Sequence, residues 1–168
     1  MEFKNHRITK IKFKKRDGKP PKMQFDYTAM DPEQSIRKAA RDKYEEAPHP
    51  DFASVWEETV QYWKENIELI LGDVFWSMED ARPTTIEMEH NSKGRITSVR
   101  YFVTITTQYE QDVSIAPPTM PPGDENEHNL LKNLHYEAKE YLKGKRAQGD
   151  MFASMKDDNG DMKPEVAN

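Results

Sequence analysis

The chain has 168 residues, with 25 Lys or Arg, 30 Asp or Glu, no Cys, a formal charge of −5 and a mean hydropathy of −1.00. That length suits one domain with a modest core, and the lack of cysteine excludes disulfides, thiolate nucleophiles and cysteine-ligated zinc. No apolar run approaches membrane-spanning length and the first residues lack a signal-like apolar stretch, so the expectation is a soluble, cytoplasmic protein with no membrane contact.

The first predicted elements are two strands. Thr9, Ile11 and Phe13 alternate with Lys10, Lys12 and Lys14, and Met23, Phe25, Tyr27 and Ala29 alternate with Gln24, Asp26 and Thr28. Asp17-Gly18 and Pro20-Pro21 interrupt the pattern, which reads as a β-hairpin with one apolar face. Asp31-Pro32-Glu33-Gln34 then has the form of a helix start, with Asp31 as cap, Pro32 in the first turn and Gln34 closing a capping box. That helix is expected to end before Pro48-His49-Pro50. A second helix, capped by Asp51 or Ser54, carries Val55, Trp56, Thr59, Val60, Trp63, Ile67, Ile70 and Leu71 at helical spacing, with Gly72 as its stop.

Strand periodicity returns over Thr84 to His90, with Ile86 and Met88 on one face. Asn91-Ser92-Lys93-Gly94 forms a turn, and Ile96 to Gln108 makes a long strand with Val99, Tyr101, Val103 and Ile105 facing one way and Phe102 the other. A short strand holds Val113 and Ile115 before Pro117-Pro118. The last helix is capped by Asp124, carries Leu130, Leu131, Leu134, Ala138, Tyr141 and Leu142 on one stripe, and ends at Gly144. The order ββ-αα-ββ(β)-α predicts an α+β domain over residues 1–144, an antiparallel sheet of two hairpins covered on one face by helices. Residues 145–168 lack periodicity and read as a flexible tail.

The charge is unevenly distributed. Residues 1–22 hold nine Lys or Arg against two acids, a formal +7, whereas the remaining 146 residues sum to −12. Lys10, Lys12 and Lys14 line one strand face, and Lys15, Arg16, Lys19 and Lys22 surround the hairpin loop. Such a ribbon is a candidate contact for nucleic-acid phosphates, tolerant of sequence because no Asn or Gln stands at the tip to read bases. The same lysines would also serve as a solvated face that discourages edge-to-edge pairing.

The tail contains Gln148-Gly149-Asp150-Met151-Phe152, an apolar pair inside a polar segment. This pentapeptide resembles the bacterial sliding-clamp-binding motif, which begins with Gln, commonly has Asp or Ser third and Leu or Met fourth, and ends in Phe. The resemblance implies that Gln148 hydrogen-bonds at the rim of a clamp pocket, that Met151 and Phe152 fill it, and that Asp150 helps fix the extended backbone. Lys145 and Arg146 just upstream would meet acidic surface or DNA. Gly149 departs from the more usual Leu or Ala. Ser154 stands where the eukaryotic clamp box has an aromatic, so the setting implied is bacterial or bacteriophage. Folding of Met151 and Phe152 back onto the domain is the alternative.

Other candidates are weaker. His6, His49, His90, His128 and His135 form no H-E-x-x-H pair, and His128 and His135 are seven apart. Glu87 and Glu89 share a strand face and, with Asp26 or Asp112, would hold Mg²⁺ in a nuclease, or would face lysines. Asp157-Asp158-Asn159-Gly160-Asp161 resembles a calcium loop only faintly, since glycine is missing at the sixth loop position and Asn168 stands where the bidentate Glu is needed. No Walker A, G-x-S-x-G or G-x-G-x-x-G stretch occurs. The sequence therefore assigns no catalytic residue, cofactor or metal ligand. It points to a DNA-associated accessory protein that binds a bacterial sliding clamp, plausible for a phage or mobile element, with a small metal-dependent nuclease or resolvase and a DNA-independent adaptor as alternatives. Oligomeric state is open.

Overall fold

Alternation of polar and apolar side chains, broken by a bulge in the first strand, builds the centre of the sheet, seen in a computed structural model that describes residues 5–67, 82–106, 109 and 111–147. β1 (Arg7–Arg16) and β2 (Lys19–Asp31) pair antiparallel around Asp17-Gly18, where Gly18 takes φ 64°, a left-handed value that glycine adopts without strain. Ile8, Ile11 and Phe13 of β1 point inward, with a register shift between Ile8 and Lys10 that puts Ile8, not Thr9, on the buried side.

The predicted helix after Asp31 is a strand. β3 (Ile36–Tyr44) pairs with β2 along its whole length, from Asp31↔Ile36 to Met23↔Tyr44. The cap signature is real but closes a turn: Asp31 Oδ1 accepts from the amides of Glu33 and Gln34, and Ser35 turns back with φ 53° and its amide on the Asp31 carbonyl. β2 is thirteen residues long and offers β3 a full ladder, which outweighs the helix propensity of Arg, Lys and Ala.

α1 (Pro50–Tyr62) begins slightly earlier than expected, because Pro50 suits the first helical position and His49 Nδ1 accepts from the Asp51 amide at 3.2 Å. The helix widens to a π-turn over Trp63–Ile67. The expected continuation through Ile70 and Leu71 to Gly72 lies outside the described residues. β4 (Arg82–His90), β5 (Ile96–Thr106) and β6 (Asp112–Ile115) complete a six-stranded antiparallel sheet in the order β3-β2-β1-β4-β5-β6. α2 (Glu125–Leu142) is capped by Asp124, whose carboxylate accepts from the Glu127 amide at 2.8 Å, and Gly144 follows it at φ 109°.

The fold is thus α+β, with both helices on one face of the sheet. Between them Phe13, Phe25, Phe52, Trp56 and Tyr141 form an edge-to-face and stacked aromatic cluster, with Phe13 and Trp56 centroids 5.5 Å apart and Phe25 and Tyr141 5.0 Å apart. Full burial of each such ring contributes about 1.5–3 kcal/mol, which lets a polar chain hold a single core. The expected stripe of Leu130, Leu131, Leu134, Ala138, Tyr141 and Leu142 is buried throughout.

Lys145, Arg146 and Ala147, assigned to the tail by sequence, lie against the domain. Lys145 Nζ pairs with Asp51 and Glu137 at 2.8 and 3.0 Å. Arg146 pairs with Glu46, and the Ala147 amide donates to the Ala47 carbonyl at 3.3 Å. Gln148, Asp150, Met151, Phe152 and the rest of the expected tail lie outside the described residues. Among the described residues, no helix is long and apolar enough to cross a membrane.

Candidate nucleic-acid interface

The face of the sheet opposite the helices carries charged and polar side chains from β3 across to β5. The pairing register sets them in rungs. Lys12 of β1, Gln24 of β2 and Lys43 of β3 are aligned, and Lys14 and Lys22 face each other on the next rung. Lys12, Lys22, Gln24 and Lys43 line one shallow cavity of about 310 Å³ together with Glu45, whose carboxylate pairs with Arg16 at 3.5 Å. Like charges set directly opposite each other on neighbouring strands are unfavourable.

Seven cations were singled out from sequence, and the fold divides them. Lys10 pairs with Glu87 at 2.8 Å, Lys14 with Asp112 at 3.4 Å, Lys15 with Glu57 at 2.6 Å and Arg16 with Glu45 at 3.5 Å. Lys12, Lys19 and Lys22 form no ion pair with any described residue. Lys43 joins them, and sequence reasoning missed it because its segment read as a helix. Its signal was available in retrospect: Arg41 and Lys43 alternate with Ala40, Asp42 and Tyr44 as strand residues do.

Toward β5 the face changes character. Phe102 points away from the core, with Lys10 Nζ and Arg100 Cζ each 5.2 Å from its ring centroid. Arg100 Nε also donates to the Pro117 carbonyl at 2.9 Å, which fixes the guanidinium beside the ring. The upstream pair Lys145 and Arg146, read from sequence as free to meet a partner, is instead held by Asp51, Glu137 and Glu46.

The carboxylates proposed for a nuclease are engaged separately. Arg41 grips Asp26 through two bonds of 2.7 and 2.8 Å, and its guanidinium holds the Asp26 carboxyl below the usual range despite partial burial. Glu87 and Asp112 pair with Lys10 and Lys14, and Glu89 accepts from the Ser98 hydroxyl at 2.6 Å. Among the described residues, no three His, Asp or Glu side chains converge to hold a metal ion.

Two features escaped the sequence. Glu127 is 3 % exposed and accepts from the Tyr101 hydroxyl at 2.7 Å and the Gly123 amide at 2.6 Å, bracing the entry to α2. Burial, and then the Glu127 carboxylate, push the Tyr62 hydroxyl up to about 12. At the far end of the strands from the lysine cluster, His90 of β4 meets His135 of α2 with ring centroids 5.1 Å apart. No local sequence pattern links two histidines 45 positions apart. Comparison with protein-family models, with curated proteins and with solved structures returns no match for this chain.

Proposed function

We propose that this chain is a non-enzymatic, nucleic-acid-associated accessory protein that lays the open face of its sheet along a phosphate backbone. The observation that carries the reading is the cluster of Lys12, Lys22 and Lys43 around Gln24. Acids neutralise the neighbouring cations but leave these three exposed. In a chain of net charge −5, a local excess of this kind supports contact with a polyanion. Phe102 offers a π-face between two cations for an unpaired base, which favours single strands over duplex. The amide nitrogen of Gln24 is engaged by Asp26 at 3.1 Å, so base reading from this rung is weak and binding is tolerant of sequence.

The second part of the proposal is recruitment. Gln148, Asp150, Met151 and Phe152 would dock on a bacterial sliding clamp in the way the motif's resemblance implies. Gln148 follows directly on Ala147, whose amide is hydrogen-bonded to the domain. The folded unit would therefore be delivered close to the clamp, where a weak DNA contact gains from high local concentration.

The test has two arms. Fluorescence anisotropy with labelled single-stranded DNA across a salt series is expected to give a linear fall of log affinity with log salt. The triple variant Lys12→Gln/Lys22→Gln/Lys43→Gln should reduce that slope by about 1 per lysine, and an unchanged slope rejects the interface. Calorimetry of the full chain against a purified bacterial clamp should show binding that Gln148→Ala/Phe152→Ala abolishes. Absence of heat at micromolar concentrations removes the recruitment half and leaves the DNA half standing.

A further inference from the structure

A second cation-rich site lies at the opposite end of the strands, between the β4–β5 turn and α2. Its cavity of about 260 Å³ is lined by His90, Lys93, Arg95, His128, Lys132 and His135, and by no carboxylate. The turn is held rigidly. Asn91 Oδ1 accepts from the amides of Lys93 and Arg95 at 3.0 and 2.9 Å, and Arg7 donates to the Ser92 carbonyl at 2.7 Å. Gly94 takes φ 82° so that the chain can reverse there. From the helix, His128, Lys132 and His135 are spaced by four and three residues and so share one face.

The imidazoles are set up as donors. His135 Nε2 accepts from the Ile8 amide at 3.1 Å, so the neutral ring carries its proton on Nδ1. His90 has neither ring nitrogen hydrogen-bonded among the described residues, although both are shielded from solvent. A shielded imidazole with no partner is costly unless a ligand supplies one. The charges that act on the two rings are cationic, Arg7 of β1 and Arg37 of β3 on His90 and Lys139 of α2 on His135, and Lys93, Arg95 and Lys132 line the cavity itself. Glu89, next to His90, sits on the other face of the sheet with Ser98. Desolvation, then Arg7 and Arg37, push His90 down to about 4.

We propose that this pocket binds a phosphate dianion, carried by a small phosphomonoester or by the terminal phosphate of a nucleic-acid strand. Three flexible cations would neutralise the dianion, and the imidazole N–H groups would fix its oxygens. The bound charge would offset the cationic field at His90, whose unpartnered ring nitrogens can take up a proton, whereas His135 keeps Nε2 as acceptor of the Ile8 amide and donates through Nδ1. This site is independent of the lysine cluster on the open face.

The test is ¹⁵N–¹H NMR of the histidine side chains in the full-length chain, titrated with inorganic phosphate at constant ionic strength. Saturable shifts at His90 and His135, with millimolar or tighter affinity at pH 7.5, where inorganic phosphate is largely the dianion, are expected. Arg95→Ala/Lys132→Ala, which removes only exposed side chains, should weaken binding about tenfold or more, while Lys12→Gln/Lys22→Gln/Lys43→Gln should leave it unchanged. A parallel comparison of 5′-phosphorylated and 5′-hydroxyl oligonucleotides separates the sources: preference for the phosphorylated strand assigns the site to nucleic-acid ends, and equal binding assigns it to small phosphate. Linear, non-saturating shifts, or saturable shifts that survive the double variant, would overturn the proposal.

Discussion

The guanidinium of Arg146 sits over the Tyr141 ring, with its Cζ 3.5 Å from the ring centroid. The same group sits 5.0 Å from the Tyr44 centroid, pairs with Glu46 through Nε at 2.9 Å and donates to the Tyr141 carbonyl. It therefore ties the end of α2 to the end of β3. Replacement by Ala should destabilise the domain by about 1–3 kcal/mol, from lost stacking and charge-assisted bonds. Arg146→Lys should recover little, because an ammonium neither stacks nor bonds through a planar fork. Urea denaturation of the three proteins checks both statements.

Stability should fall as the solution is acidified below neutrality. Desolvation pushes His90 down to about 4 and His135 to about 3. Both therefore stay neutral in the folded state while the unfolded chain takes up protons near 6.5. Unfolded protein binds more protons between about pH 6.5 and pH 3–4, so the free energy of unfolding decreases through that window as pH falls. The slope approaches about 1.4 kcal/mol per pH unit for a fully shielded imidazole and is less for His90 and His135, both of which are only half-buried. His135→Gln keeps an acceptor for the Ile8 amide and should flatten the acid side of the profile. A profile equally steep in the variant would refute the assignment.

Tyr101→Phe should cost about 1–3 kcal/mol, since one oxygen of a buried carboxylate loses its donor. The Gly123 amide remains on the other oxygen, so α2 should still form. Tyr101→Phe combined with Glu127→Gln is expected to be milder than the sum of the single changes, because the neutral amide no longer demands a donor as strongly. Thermal unfolding of the full cycle measures that coupling.

Lys22→Gln should raise stability by about 0.2–1 kcal/mol while weakening DNA binding. Lys22 faces Lys14 directly across β1 and β2, and opposed like charges in neighbouring strands are unfavourable. A side chain kept for binding often costs stability in this way. A variant that loses stability would mean that the lysine stem covers apolar surface and that its charge is incidental.

Much of the fold is legible wherever the pattern is local. The β1–β2 hairpin, the Asn91–Gly94 turn, the inward series Val99, Tyr101 and Val103, and α2 from Asp124 to Gly144 follow from alternation, helical spacing and end signals. β3 is not legible, because Asp31-Pro32 and the Ala39-Ala40 pair carry genuine helical signals and only the partner strand decides against them. The same gap hid Lys43 from the basic cluster. Which lysines would be neutralised depends on Glu57, Glu87 and Asp112, which come from three different elements and meet β1 only in the fold. The histidine pocket is further from sight, since His90 and His135 become neighbours only when α2 packs over the end of β4.

β3 also ends the sheet, and its outer backbone groups form a nine-residue template for any passing strand. Arg37, Lys38, Arg41 and Lys43 against Asp42 give that segment a formal +3 in a chain that is acidic as a whole. A second copy presenting the same edge meets its own sign of charge. Repulsion along this border should oppose strand-by-strand growth from the longer of the two sheet edges at low salt, and added salt should weaken that protection.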